Sequence, residues 1–236
     1  MDRSIFVALS GLSAGIERLN FASNNLANIN TSGFKKFRPL FTMVSPRGQG
    51  TRAFVSPEAP VMDSSDGAMT KSGRPLDLAI EGKGFFAVKT PRGTRYTRQG
   101  DFKIDTEGRL TTQSGYPVLG PGGPVKLSRS DVEIDRAGSI TVGGADIGRI
   151  KVVRFNDSDK LIYEGGVYRA GAGAKPLAVK DVDTKVVQGF IEGSNVSPVK
   201  EMVSMMENLR TYQTQIKLIQ AIDGMTRKAI EEVGRV

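Results

Sequence analysis

Near the start of the chain apolar residues fall at Ile5, Leu9, Leu12, Ile16, Leu19 and Leu26, at steps of 4, 3, 4, 3 and 7 residues. This is a heptad seam interrupted only at Ser23, and it predicts an amphipathic helix whose stripe needs a partner helix. Toward the other end Met202, Met205, Leu209, Tyr212, Ile216, Ile219, Asp223, Thr226 and Ile230 alternate steps of 3 and 4, and seven of the nine are apolar. Two such helices with little helix signal between them predict that the chain ends pair with each other. Periodicity alone equally allows two helices packed on a central sheet as ordinary core elements; the length of the seams favours coiled-coil packing.

Between the ends the period changes to two. Short runs at Leu76 to Ile80, Phe85 to Val88, Phe102 to Ile104, Val132 to Ile134, Ile150 to Phe155 and Val186 to Phe190 read as strands. Turn signals punctuate them closely, as in EGKG at 81–84, PRG at 91–93, DTEG at 105–108 and GPGG at 120–123. That favours antiparallel hairpins over βαβ units. FKIDTEGRLT at 102–111 aligns with VEIDRAGSIT at 132–141, each a strand, an Asp-x-x-Gly turn and a second strand. A calcium loop would need more oxygen ligands at set spacing. Asp105 and Asp135 are therefore expected to hydrogen-bond the turn backbone while the glycine takes a positive φ.

Residues 36–75 are rich in Pro, Gly and Ser with few periodic apolar positions, and they are expected to run extended as a connector or binding loop. The resulting expectation is an α+β protein. Residues 1–35 with 198–236 form a terminal helical domain paired as a coiled coil, 36–75 an extended connector, and 76–197 a central antiparallel β-rich domain.

Composition narrows the chemistry. The 236 residues contain no cysteine, histidine or tryptophan. This removes thiolate and the usual zinc chemistry, as well as Ser-His-Asp and Cys-His units, and leaves acid–base work to carboxylates, lysine or tyrosine. No catalytic, cofactor-binding or metal site is assigned. A missing cysteine complement also suits a chain that passes unfolded into an oxidising compartment. The N-terminal apolar run is short, broken by glycines and followed by Glu17 and Arg18, unlike a Sec signal. No uninterrupted apolar segment reaches about 18 residues, so stable membrane insertion is not expected.

The formal charge of +8 raises a nucleic-acid reading, but the basic residues are scattered. Their densest group, Lys89, Arg92, Arg95, Arg98, Lys103 and Arg109, is interspersed with turn residues, as on a solvated sheet face or a protein-partner surface. Phe85, Phe86, Tyr96 and Phe102 fit a β-core at least as well as a stacking platform. A hydrolase reading would draw on Asp77, Glu81, Asp101 and Asp105, at a separation of about 5 to 9.5 Å that sequence cannot supply.

The stretch Ser23 to Lys36, SNNLANINTSGFKK, crowds asparagines onto the end of the first helix. Asn and Gly tolerate the left-handed conformation, and Asn and Thr side chains satisfy open backbone groups, which accounts for Asn28 to Gly33 as a helix stop. It accounts less well for Asn24 and Asn25, which lie where the seam is still running. The stretch resembles the N-terminal signature ANNxANxxTxGFK of the flagellar rod, hook and related axial proteins. RPLDLAIEGKGFFAV at 74–88, YTRQGDFKIDTEGRL at 96–110, GYPVLG at 115–120 and EGSNVSPVKEMVSMMENLRTYQ at 192–213 extend the likeness over nearly the whole chain. Within the family the length, the opening MDRSIF and GRIKVVRF followed by GVYR resemble the proximal-rod members, with the distal-rod members as the alternative.

The resemblance implies a structural subunit that polymerises helically into the basal-body rod, with its terminal helices lining an inner tube and its β-rich part outside. It implies export without Sec cleavage through the flagellar type III apparatus, and a location in the rod spanning the periplasm. The expected partners are other copies of the chain and neighbouring rod proteins, with no nucleic acid and no cofactor. The expected seam contact sets Leu9, Leu12, Ile16 and Leu19 against Leu209, Tyr212, Ile216 and Ile219. Asn24, Asn25, Asn28, Thr31, Gly33 and Phe34 are expected to fix the bend and the contacts with neighbours.

Overall fold

A computed structural model describes residues 2–44, 54–127, 132–156, 160–179 and 184–234. Part of the expected connector, residues 45–53, lies outside the described residues. The chain is α+β: a helix α1 at Asp2–Ala27, short antiparallel strands, and a helix α2 at Pro198–Val233. It divides into two compact units, one of residues 1–27, 37–61 and 197–236, the other of residues 28–36 and 62–196.

The first unit is helical with one hairpin, Phe41–Val44 paired with Phe54–Pro57 in the register Phe41↔Pro57. The Arg18 guanidinium lies over the Phe41 ring, 4.9 Å from its centroid. α2 opens with Pro198, whose missing N–H costs nothing in the first turn, and carries Glu201 there, where a carboxylate suits the positive end of the helix. At about 1.5 Å per residue α2 is roughly 54 Å long. The window Ile5–Ala27 of α1 is long and apolar enough, by length and composition, to cross a membrane. It meets that measure although Glu17, Arg18 and several amides break the apolar run, because its Ile, Leu, Phe, Val and Ala side chains outweigh them.

The second unit holds the sheets. Its six-stranded sheet runs in the order Leu161–Glu164, Val167–Ala170, Gly93–Thr97, Phe85–Thr90, Val152–Arg154, Leu177–Ala178. Leu78–Gly82 pairs with Thr184–Gln188 in the register Ile80↔Val186, and Met69–Lys71 pairs with Phe190–Glu192. Leu78, Ile80, Phe86, Val88, Leu110 and Ile140 are fully buried and anchor the core. The near-continuous apolar runs at 78–80 and 85–88 follow from strands covered on both faces.

The repeated hairpin appears twice with the same turn. Asp105 Oδ1 accepts the N–H groups of Glu107 and Arg109 at 2.9 and 2.8 Å, and Asp135 Oδ1 accepts those of Ala137 and Ser139 at 2.9 and 2.8 Å. Gly108 and Gly138 follow at φ 72° and 81°. Both aspartates hold turn backbone, as their sequence context indicates.

Candidate functional site

The signature begins inside α1. Asn25 is 1 % exposed. Its Oδ1 accepts the Phe37 N–H at 3.0 Å, and its Nδ2 donates to the Phe37 carbonyl at 2.9 Å and to Glu201 Oε1 at 3.1 Å. The amide thus pairs with Phe37 as a neighbouring strand would, and at the same time holds the first turn of α2. This answers why an asparagine interrupts an apolar helix: a buried peptide group needs both a donor and an acceptor, and only a side-chain amide offers both in one plane. Asn24 lies on the exposed side of the helix.

The helix then ends in two successive turns, with the Thr31 N–H on the Asn28 carbonyl and the Phe34 N–H on the Thr31 carbonyl, each at 3.2 Å. Asn28 Oδ1 accepts the hydroxyls of Thr31 and Tyr163 at 3.2 and 3.3 Å. Gly33 has φ 64°, and a Cβ there would collide with the carbonyl of Arg98. Phe34, 1 % exposed, meets Tyr163 edge-on at 5.2 Å, and this contact continues through Tyr168 to Phe85 as a ladder of aromatic rings at 5.3 and 5.4 Å.

Lys35 follows, and it is 1 % exposed. Its ammonium contacts Glu192 Oε1 and the Ser65 carbonyl, both at 2.6 Å, with Asp66 at 3.7 Å. Arg98, 2 % exposed, donates to Glu192 Oε2 at 2.9 Å and to the Ile80 carbonyl at 2.9 Å, and its guanidinium sits over the Phe85 ring. Glu192 is completely buried, and the Gly67 N–H also donates to it at 3.0 Å. Burial first, then the adjacent Arg98 charge, holds the Lys35 ammonium below the ordinary lysine value, while Glu192 and Asp66 pull the other way. Burial pushes the Tyr168 phenol well above its usual value; the oxygen accepts the Lys35 N–H at 3.1 Å. Three of the quoted motifs therefore meet at one buried charge cluster: GFKK supplies Lys35, YTRQGDF supplies Arg98 and EGSN supplies Glu192.

The seam residues are placed as follows. Leu9, Ile16 and Leu209 remain exposed, and Leu12, Leu19, Tyr212, Ile216 and Ile219 are half-buried. The two helices approach where α1 is smallest: a Cβ on Gly11 or Gly15 would lie 3.3 Å from the Gln215 amide, and one on Gly15 would lie 3.9 Å from the Tyr212 ring. Ala14, Gly15 and Ala22 are buried on α1. The half-buried stripe of α2 passes through positions 205, 208, 212, 215, 219, 222, 226 and 229. It keeps the alternating steps of 3 and 4, sharing 205, 212, 219 and 226 with the seam; 208, 222 and 229 stand in for the exposed 209, 223 and 230, while 215 and 216 are both half-buried.

Sequence reasoning missed Lys35, Arg98, Glu192 and Asn195 as members of one site, since charged residues are rarely buried and their pairing spans most of the chain. Gly11 and Gly15 carried a readable signal in their spacing of four. Of the basic group, Arg98 is consumed in the cluster, Arg95 contacts Glu164 at 3.3 Å and Arg109 contacts Asp105 at 2.7 Å. Among the acids, Asp77 binds Arg74 at 2.8 Å, and Asp101 accepts the Ser32 hydroxyl at 3.0 Å. No group of three or more acidic side chains able to hold a metal ion occurs among the described residues.

Comparison with known proteins matches three family models along the chain: the flagella basal body rod protein model at residues 5–35, the flagellar hook protein FlgE/F/G D1 domain at 79–144, and the flagellar basal body rod FlgEFG protein C-terminal model at 187–232. Among its relatives is the flagellar basal-body rod protein FlgF of Caulobacter vibrioides, 35% identical over 100% of both chains. The FlgF of Escherichia coli is 31% identical over 97% of each chain, and the flagellar basal-body rod protein FlgG of Bacillus subtilis is 33% identical over 98% of each. With the terminal signature, the D1 region and the C-terminal helix matched in order and relatives aligned from end to end, the chain belongs to the flagellar basal-body rod protein family.

Proposed function

We propose that the chain is a structural subunit of the proximal rod, polymerising helically to form part of the drive shaft and of the export channel within it. The observation that carries this reading is the end-to-end likeness to rod proteins named FlgF. It is supported by helices that keep large apolar side chains outward: Phe6, Leu9 and Ile16 on α1 and Met202, Leu209 and Ile230 on α2 are each more than a third exposed. Such surface is costly in water and invites burial by further subunits. Repeated heterologous contacts between identical subunits yield a filament when the rotation between them does not close a ring.

In this reading residues 1–35 with 198–236 form the inner-tube part, paired as a coiled coil along the two seams, 36–75 connects, and 76–197 forms the outer part. The bend residues Asn24, Asn25, Asn28, Thr31, Gly33 and Phe34 set the exit from α1 and the contacts with neighbouring subunits. The partners are other copies, adjacent rod proteins and the type III export apparatus, which takes the chain across without Sec cleavage into the periplasm-spanning rod. The role is mechanical and no substrate is turned over. A distal-rod role is the second reading, favoured by the 33% identity to the Bacillus subtilis FlgG. Cryo-EM of basal bodies isolated from a deletion strain complemented with this chain tests both: density for the chain at the inner-membrane end supports the proximal role, density toward the hook the distal one, and absence from the rod in swimming cells overturns both.

A further inference from the structure

Residues 28–36 lead out of α1 and residues 189–196 lead into α2, and within the second unit these segments are fastened side by side. The Gly33 N–H donates to the Glu192 carbonyl at 2.8 Å, the Asn195 N–H to the Phe34 carbonyl at 3.3 Å, and the Lys36 N–H to Asn195 Oδ1 at 2.7 Å. A third segment closes on both: the Asp63 N–H donates to the Lys36 carbonyl and the Gly193 N–H to the Ala68 carbonyl, each at 2.8 Å, while Asn195 Nδ2 donates to the Asp63 carbonyl at 3.0 Å. At the centre the Glu192 carboxylate is shared by Lys35, Arg98 and the Gly67 N–H, with the three side chains 0–2 % exposed.

We propose that this is a gathering clamp with Glu192 as its keystone. Two buried cations converge on one carboxylate, so neither the segment after α1 nor the segment before α2 can settle without the other. The segments lock or release together. When locked, the clamp starts both terminal helices from adjacent points, which makes their pairing intramolecular at a high effective concentration. Glu192 is a positioning residue here, acting on the helices through Lys35, Gly33 and Asn195. The clamp itself is a property of the free subunit and does not depend on rod assembly; only its consequence for the helices rests on the pairing proposed above.

The test uses the full-length chain as a free subunit. In Glu192→Gln, amide exchange at Gly33, Lys36 and Gly67 is expected to rise about tenfold or more, while Val88 and Leu110 in the core keep their protection. Asn195→Ala, which leaves every charge paired, is expected to loosen the same amides and serves if the glutamine variant does not fold. Because the chain has no cysteine, a Gly11→Cys, Gln215→Cys pair reports helix closure. Its intramolecular disulfide yield is expected to fall about fivefold when Glu192→Gln is added. Unchanged exchange at Gly33 and Lys36, or a rise spread evenly into Val88 and Leu110, overturns the clamp. Loosened clamp amides with an unchanged disulfide yield overturn its gathering role. Neither result bears on whether the chain builds a rod, which the basal-body experiment decides separately.

Discussion

Gly33 stands at φ 64° with the Arg98 backbone filling the space a side chain would take. Gly33→Ala therefore meets both an unfavourable dihedral and a backbone wall. It is expected to lower stability by more than about 1 kcal/mol in urea denaturation; a neutral result would mean that the segment 28–36 can move away from Arg98. Asn25→Ala leaves both polar groups of the Phe37 peptide without the amide that pairs them, an expected loss of about 1 to 3 kcal/mol. The buried charges give a pH signature. The Lys35 pKa lies below 10.5, so between the folded value and 10.5 the unfolded chain binds the extra proton, and this site adds stability as pH rises through that window. Tyr168 acts in reverse: its raised phenol keeps its proton when the unfolded chain has lost one, so its contribution is present below 10.0 and is lost as pH climbs above that value. In urea midpoints measured across that range, Lys35→Met should flatten the rise and Tyr168→Phe should flatten the fall. Slopes unchanged in both variants would show that these groups are not coupled to folding.

At the scale of elements, the helices and the β unit differ in what holds them. An isolated amphipathic helix is marginal in water, and both α1 and α2 leave much of their apolar surface uncovered. In a verified monomer, amide exchange is expected to be fast through residues 5–20 and 205–230, away from the turn that Asn25 and Glu201 hold, and slow in the strands from 78 to 97. Strong protection in both helices would make them ordinary core elements. The helical periods, the strand runs and the twin Asp-x-x-Gly hairpins were legible in the sequence because each is written in near neighbours: Asp105 needs only Glu107 to Arg109 to define its turn. The buried cluster was not legible, because nothing local to Lys35 distinguishes it from the half-buried Lys36 beside it. Its burial is decided by Glu192, 157 residues away. Gln215 is half-buried beside the small residues Gly11 and Gly15, where its polarity alone would place it outside.

At the scale of the whole molecule, the helices and the sheets belong to separate compact units. Removing residues 199–236 is expected to leave the thermal midpoint of the β unit nearly unchanged while abolishing incorporation into basal bodies; a large loss of sheet stability would instead tie α2 to the core. Replacing Asn25 and Asn28 together by alanine should leave the sheets folded and stop motility with the rod incomplete, and normal swimming would reduce the signature to helix termination. The cluster has a further consequence in time. At about 5–20 residues per second, a ribosome delivers Lys35 roughly 8 to 30 s before Glu192, far longer than hairpin formation at about 1–10 μs. Throughout that interval Lys35 lacks the closest of its carboxylates, with Asp66 at 3.7 Å the more distant one, so the nascent chain can finish its local hairpins while its two ends stay unfastened.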